Sequence, residues 1–209
     1  MATAPAETQS FECEKVALDV FLDVLGRTRD ALDGKVEWAL IGGVACAVYG
    51  RPRWSCDIDV FVGEPDSLTA LDLLADAGFA TKELDPSWIY KAIDRGVLVD
   101  VIFKTAGDIY LDDEFAEHIR RVSFHGVEVA AASPEDLVVI KAIVHKEARP
   151  RHWYDALGII ARNELDWDYL EHRARYALRR VASLLVYAQS LDLPVPAAPV
   201  QRLLEQAYR

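Results

Sequence analysis

The sequence is poor in the features that mark secreted and membrane-spanning proteins. It contains three cysteines among 209 residues, an odd number without metal-ligand spacing, so reduced cysteines in a packed interior are expected. The first ten residues contain neither a basic segment nor an apolar one, and no later run is long and uncharged enough to cross a bilayer. These absences predict a cytoplasmic protein without a membrane partner.

Positive charge is also scarce. Lys and Arg number 23 against 34 Asp and Glu, which gives a formal net charge of −11. Such a charge repels nucleic acid at long range and argues against a broad basic binding surface. Residues 141–180 are the exception, with nine basic and six acidic residues and a local charge of +3. A phosphate-bearing partner would meet this stretch, although a solvated helix face explains any single arginine more simply.

A chain of this length that is 52% hydrophobic can fill a sizeable core. Apolar residues recur at helical spacing within residues 13–32, and the sequence beyond residue 162 predicts further helices. We therefore expect a flexible N-terminus at 1–12, an α+β core with a leading helix at 13–131, and a helical region at 132–209.

Two aspartates stand out in the apolar stretch 41–62, which reads IGGVACAVYGRPRWSCDIDVFV. Residues 56–62 predict a strand, and side chains two apart on a strand point to the same face, so Asp57 and Asp59 lie side by side. Two carboxylates that close repel each other unless a cation lies between them or one takes up a proton. Mg²⁺ suits this position, because it is usually held by one or two carboxylates together with substrate phosphates.

A glycine pair precedes these aspartates. Residues 38–41 predict a strand that ends at Gly42 and Gly43, with a helix from about Val44. Glycines there allow the backbone to approach a ligand closely, and the amide groups at the start of the helix would point at a phosphate. The pair is therefore a candidate phosphate-binding site.

A third carboxylate lies in the run 97–103, VLVDVIF, which predicts a strand that is apolar on both faces except at Asp100. An unpaired buried carboxylate is costly, so Asp100 needs a partner. Either it completes a metal site or acts as a general base, or it accepts a hydrogen bond from the backbone or an arginine. The presence of Asp57 and Asp59 favours the first interpretation.

Several other elements are expected from local patterns. Residues 79–84 and 87–93 predict one hairpin and residues 121–131 a second. A helix that starts at Pro65 is expected to turn four residues inward, namely Leu68, Leu71, Leu74 and Ala75. His145 and His152 lack partners at helical spacing and are interpreted as surface or loop residues.

Lys141 interrupts the apolar run of another predicted helix. Ser133 is the expected N-cap of this helix and Pro134 its first residue, and the helix extends to about Lys146. A lysine in such a run more often extends its ammonium group to the surface than binds a ligand.

The glycine pair, thirteen intervening residues and the Asp-x-Asp strand together resemble the signature of the DNA polymerase β-like nucleotidyltransferase superfamily. The run 53–59 is similar to that of the AbiEii-type bacterial members, and Lys141 followed by Asp155 resembles the second signature of AbiEii/MenT-like nucleotidyltransferases. The resemblance covers most of residues 38–157 and implies a mixed sheet flanked by helices with a helical C-terminal half.

The resemblance also implies an activity: transfer of a nucleoside monophosphate from a nucleoside triphosphate to a hydroxyl group of RNA or tRNA, a small molecule or a protein. Relatives include toxins, which makes an antitoxin protein a further candidate partner. The alternative is a non-catalytic protein that kept the fold and binds a nucleotide or a partner. The enzyme is favoured because the chain retains all five of the expected catalytic residues, Asp57, Asp59, Asp100, Lys141 and Asp155.

The resemblance implies roles for particular residues as well. Mg²⁺ or Mn²⁺ would be held by Asp57, Asp59 and Asp100. Asp155 would orient Lys141 or the attacking hydroxyl. Arg53 could reach a phosphate, and it could equally pair with Asp59 or Asp100. The nucleotide-binding residues would be Gly42, Gly43, Arg53, Ser55 and Lys141.

Overall fold

The computed structural model describes residues 16–148 and 150–209. The helices in this part of the chain are α1 Leu18–Leu32, α2 Gly42–Tyr49, α3 Ser67–Asp76, α4 Asp113–Glu117, α5 Pro134–Val144, α6 Arg151–Ile160, α7 Trp167–Arg173, α8 Leu178–Ser190 and α9 Ala197–Ala207. The strands are β1 Trp38–Leu40, β2 Asp57–Val62, β3 Ala80–Asp85, β4 Ile89–Asp94, β5 Val97–Ile102, β6 Arg120–Phe124 and β7 Val127–Ala131. The predicted flexible segment 1–12 and the first three residues of the helix predicted over 13–32 lie outside the described ranges.

The strands form one mixed sheet in the order β3-β4-β5-β2-β1-β7-β6. Strand β2 lies in the middle, antiparallel to β1 and parallel to β5. Its apolar residues Ile58, Val60 and Phe61 are fully buried, as the apolar run predicted. Helices and a mixed sheet in one core confirm the predicted α+β fold. Among the described residues, no helix combines the length and the hydropathy that a membrane crossing requires.

The sheet topology brings the predicted site residues to one place. Because β1 and β2 are antiparallel, with Leu40 opposite Val60, the end of β1 meets the beginning of β2. The glycine pair after β1 therefore lies beside the aspartates at the start of β2. Strand β5 runs parallel to β2 with Asp100 opposite Asp59, and opposite residues of paired strands project to the same face of the sheet.

Both predicted hairpins are confirmed, as β3–β4 and β6–β7. A further hairpin joins β4 to β5 through Arg95 and Gly96, whose φ angles are 47° and 80°. Positive φ at both central residues matches the twist of the flanking strands. This turn sets the register in which Lys91 lies opposite Asp100.

Helix α5 begins as predicted, with the Ser133 hydroxyl accepting a 3.0 Å hydrogen bond from the Asp136 N–H. The buried Asp136 carboxylate then accepts 2.8 Å hydrogen bonds from the Tyr169 hydroxyl and from Arg173 Nε, both on α7. Hydrogen bonds between charged groups are stronger than neutral ones. They fix the first turn of α5, and with it the helix that carries Lys141.

The inward face of α3 differs from the prediction. Ala70, Leu71 and Leu74 are buried, whereas Leu68 and Ala75 are exposed. Residues at i, i+1 and i+4 share one side of a helix, and the side that meets the sheet is the one centred on Leu71 and Leu74. The position of Leu68 on the opposite side could be determined only by packing.

Helix α9 contains a proline in its first turn. It begins at Ala197, and Pro199 is its third residue. A proline is tolerated there, because the backbone nitrogens of the first turn have no partner within the helix.

Candidate active site

Three carboxylates meet on one face of the sheet at the start of β2. Asp57, Asp59 and Asp100 each present an oxygen atom, and these atoms lie within 4.8 Å of one another. The Ser55 hydroxyl donates a 2.9 Å hydrogen bond to Asp57, and the Gly43 N–H donates one of 3.3 Å to Asp59. The structure thus brings Asp100 together with Asp57 and Asp59, the three carboxylates that the sequence predicted as a set.

The glycine pair is required by the packing of these neighbours. Gly42 has a φ of +63°, and a Cβ atom on it would lie 1.8 Å from Asp59 Oδ2. A Cβ atom on Gly43 would lie 2.0 Å from the Ser55 hydroxyl oxygen. Any other residue would displace Asp59 or Ser55, since such distances are far below van der Waals contact. The glycines therefore allow a carboxylate of the site, and not only a ligand, to approach the start of α2.

Asp59 is the most perturbed carboxylate of the cluster. Removal of water from this group, and then the charges of Asp57 and Asp100, raise the pKa of Asp59 to about 7, although Lys141 acts in the opposite direction. Burial also raises the pKa of Asp100, against the effect of the neighbouring Lys91. The cluster is therefore short of positive charge, which is the condition that a bound cation relieves.

This perturbation predicts a pH dependence of stability when divalent ions are absent. An aspartate in the unfolded chain ionises near 3.8, but Asp59 in the folded protein ionises near 7. Between these values the unfolded state binds fewer protons, so the free energy of unfolding falls as pH rises. The Asp59→Asn variant lacks this contribution. Its stability relative to wild type should therefore increase up to a pH of about 7 and then level off.

Urea denaturation of both proteins in the presence of EDTA, at several pH values from about 4 to about 8, tests this expectation. Comparison of the two proteins cancels the contributions of other titrating groups. A difference in unfolding free energy that stays constant over this range would contradict the charge deficit at Asp59.

Lys141 and Asp155 form a buried ion pair beside the cluster. Lys141 Nζ lies 3.3 Å from Asp155 Oδ2, and the two side chains are 6% and 2% exposed. Arg53 binds the same carboxylate through two hydrogen bonds of 2.8 Å. The suggested pairing of Arg53 with Asp59 or Asp100 is therefore wrong, and Lys141 does not extend to the surface. Asp155 lies in the second turn of α6.

A cleft of about 960 Å³ opens beside these groups. Gly42, Asp59 and Lys141 line it on the side of the predicted site. The rest of its lining includes Trp88 before β4, residues 104–108 after β5, and the end of α5. The volume falls within the range of about 300–1,000 Å³ that is typical of small-molecule sites.

The two histidines take different positions. His145 follows α5 and stacks on Trp153 with ring centroids 4.6 Å apart. His152, predicted as a surface or loop residue, lies in the first turn of α6 and lines the cleft. Burial, and then the charges of Lys141 and Arg151, lower the pKa of His152 to about 4, so it is neutral at pH 7. Neither histidine belongs to the group that could hold a metal in the described part of the chain.

Cys46 and Cys56, the two cysteines among the described residues, do not belong to the carboxylate cluster. Cys46 is buried in α2, and burial raises the pKa of its thiol to about 11. Cys56 is half-buried and also free, while Cys13 lies outside the described residues. A protonated, buried thiol fits the packing role that the sequence predicted for Cys46.

Two residues near the site, Lys91 and Trp88, were not predicted from the sequence. Lys91 Nζ donates a 2.5 Å hydrogen bond to Asp100 Oδ1, and Trp88 lines the cleft with 42% of its surface exposed. A signal for Lys91 was present: counting outward from a two-residue turn at Arg95 and Gly96 places it opposite Asp100. No sequence signal placed Trp88 at the cleft, because its position depends on how the β3–β4 hairpin packs beside the cleft.

The mixed sheet, the three carboxylates on β2 and β5, and the glycine-led helix beside them define the class of protein as a nucleotidyltransferase. Residues 33–193 match the model of a family described as "Uncharacterised nucleotidyltransferase". The match spans more than half of the chain, and the chain belongs to this family. A search of curated protein sequences found no match.

Solved structures of nucleotidyltransferases resemble the chain in fold. ANT(2'')-Ia in complex with an adenylyl-tobramycin is 17% identical with a TM-score of 0.54, over 77% of this chain and 98% of that one. A solution structure of ANT(2'')-Ia, an antibiotic-resistance factor, is 15% identical with a TM-score of 0.54, over 82% of this chain and 98% of that one. The lincomycin-bound lincosamide adenylyltransferase LnuA is 14% identical with a TM-score of 0.48, over 70% and 98%.

Proposed function

We propose that the protein transfers a nucleoside monophosphate from a nucleoside triphosphate to an acceptor hydroxyl, with a divalent metal ion at Asp57, Asp59 and Asp100. The convergence of these three carboxylates beside the start of α2 carries the proposal. A cleft that reaches both Asp59 and Lys141 provides the space for a nucleotide. Membership of a nucleotidyltransferase family supports the reaction class.

The three carboxylates fit Mg²⁺ or Mn²⁺ by their donor chemistry. All of them supply oxygen, the ligand that these ions prefer. Burial, and then the charges of Asp57 and Asp100, raise the pKa of Asp59, and the repulsion among these carboxylates supports a cation as their partner. Such an ion would neutralise the phosphate charge and align the reacting groups.

The nucleotide is proposed to lie along the start of α2 and the Lys141 side of the cleft. The ammonium group of Lys141 would contact the phosphates as a point charge, and the amide group of Gly42 would donate a hydrogen bond to them. The Gly43 N–H already donates to Asp59, which favours a role for Gly43 in positioning that carboxylate. Arg53 and Ser55 are bound to carboxylates of the site, at Asp155 and Asp57. These bonds favour a role for Arg53 and Ser55 in positioning the site over direct contact with the nucleotide.

Transfer requires that the attacking hydroxyl lose its proton as its oxygen bonds to the α-phosphorus and the bond to pyrophosphate breaks. Asp100 is proposed to accept that proton on a carboxylate oxygen, because it lies within the cluster. Asp155 is already bound by Arg53 and Lys141. This supports the first of its two predicted roles, the orientation of Lys141.

We further propose that the acceptor is a small molecule. The basic stretch 141–180 was expected to meet a phosphate-bearing partner. In the folded protein, Arg173 and Arg175 of this stretch pair with Glu114, and Arg173 also pairs with Asp112, both from outside it. Both arginines are therefore already engaged by carboxylates, which weakens their attraction for RNA phosphates.

Incubation with Mg²⁺ and each nucleoside triphosphate, labelled in the α-phosphate, tests the proposal. Acceptors would be hydroxyl-bearing small molecules, total tRNA and cell proteins, each with an EDTA control. We expect label on a small molecule that EDTA abolishes. Label on tRNA or protein would refute the acceptor class but not the reaction. Nucleotide binding without any transfer would refute the enzyme and favour a binding protein.

The AbiEii/MenT-like subfamily, and with it a role as the toxin of a toxin–antitoxin pair, stays a prediction from the motifs. The tRNA part of the assay tests it, since labelled tRNA together with growth arrest on expression would support a toxin.

A further inference from the structure

Lys91 lies close to the three carboxylates and has no role in the function proposed above. Its Nζ lies 2.5 Å from Asp100 Oδ1. The two residues are directly opposite each other on the antiparallel strands β4 and β5, and such partners project to the same face. Strand register therefore holds the Lys91 ammonium group next to the Asp100 carboxylate. Two surface side chains that happen to lie close together would lack this constraint.

The same register extends across a third strand. Asp59 on β2 lies opposite Asp100 on β5, so Lys91, Asp100 and Asp59 form a row across three neighbouring strands. The Lys91 and Asp100 side chains are only 15% and 13% exposed. Little water surrounds this ion pair, so the positive charge of Lys91 acts on the cluster with little screening.

We propose that Lys91 is a fixed cation of the site and takes the place of a second divalent ion. Three carboxylates are balanced by one divalent ion and one ammonium group. The nucleotide-free protein then binds a single divalent ion at Asp57, Asp59 and Asp100, while the charge of Lys91 prevents Asp100 from holding a second one. This inference rests on the proposed function, because it concerns the same carboxylates.

The inference makes Lys91 a positioning residue, since it acts through Asp100. A neutral residue at this position would leave Asp100 and its neighbours with one uncompensated negative charge. A second divalent ion is the natural replacement, because carboxylate oxygens are its preferred ligands. An arginine at this position would keep the charge and therefore the single ion.

Titration of the nucleotide-free protein with Mn²⁺, followed by the electron paramagnetic resonance signal of the free ion, tests this inference without any measurement of activity. We expect one Mn²⁺ per chain for wild type and Lys91→Arg, and two for Lys91→Met. Lys35→Met is the matched control, because Lys35 donates its hydrogen bond to the Ala31 carbonyl at the end of α1. This control changes the net charge equally and should bind one ion.

Two Mn²⁺ ions in wild type, or one in Lys91→Met, would overturn the role of Lys91. Loss of Mn²⁺ binding in Asp57→Asn would still support the metal site of the proposed function. No Mn²⁺ in any of the proteins would overturn both the inference and the metal site. Circular dichroism reports whether Lys91→Met is folded. The number of bound Mn²⁺ ions is also measured for Lys91→Gln, a second variant with a neutral side chain.

Discussion

Replacement of Asp57 or Asp59 by asparagine is expected to lower the rate of nucleotidyl transfer by about 1,000-fold or more. Each change removes one negative charge from the proposed metal site with almost no change in side-chain volume. Charge stabilisation by a bound metal ion is worth several kcal/mol in a transition state, which corresponds to a loss of this size. The measurement is the initial rate of label transfer to the acceptor that the assay identifies.

The fold should survive these two changes. Asp59→Asn removes a carboxylate whose pKa is raised to about 7 by burial and then by the charges of Asp57 and Asp100, so the metal-free variant should gain stability relative to metal-free wild type as pH rises to about 7. Asp168→Asn is the matched control, because the Asp168 side chain is 95% exposed. Full transfer activity in both Asp57→Asn and Asp59→Asn would eliminate the metal assignment.

Replacement of Asp155 by alanine is expected to lower the free energy of unfolding by about 3–5 kcal/mol, because it leaves the buried ammonium group of Lys141 without a partner. The Lys141 side chain is only 6% exposed, and Arg53 loses its two hydrogen bonds at the same time. Urea denaturation in the presence of EDTA measures the change, which is large compared with the stability of a typical domain.

A double variant separates the structural role of this ion pair from its proposed catalytic role. Lys141→Met combined with Asp155→Leu replaces both buried charges by apolar groups, which is often close to neutral for stability. Arg53 is 22% exposed and can turn its charge toward water. We expect the double variant to regain most of the stability but none of the transfer activity. An Asp155→Ala protein as stable as wild type would contradict the buried pair, and an active double variant would contradict the role of Lys141.

Much of the fold was predictable because its signals are local. The apolar runs around Asp57 and Asp100 identified the two strands, and Ser133 before Pro134 identified the start of α5. Alternation along a strand also placed Asp57 and Asp59 on one face without any knowledge of the neighbouring strands.

Errors arose where a residue's surroundings come from distant parts of the chain. The orientation of Leu68 depends on which side of α3 meets the sheet. Arg53 was expected to reach a phosphate or to pair with Asp59 or Asp100, but its partner Asp155 lies 102 residues away. The excess charge of residues 141–180 was real in sequence, yet in the fold two of its arginines, Arg173 and Arg175, pair with Asp112 and Glu114 from outside the stretch.

The sequence by itself determined the family resemblance, the strands and the three carboxylates, because spacing along a strand or helix fixes which side chains share a face. Only the tertiary structure decided which charges meet. It placed Lys91 on Asp100, joined Arg53 and Lys141 at Asp155, and brought Asp59 against Gly42. The physical reason is that an ion pair between elements depends on strand register and helix packing, and these are set by the burial of the whole apolar core.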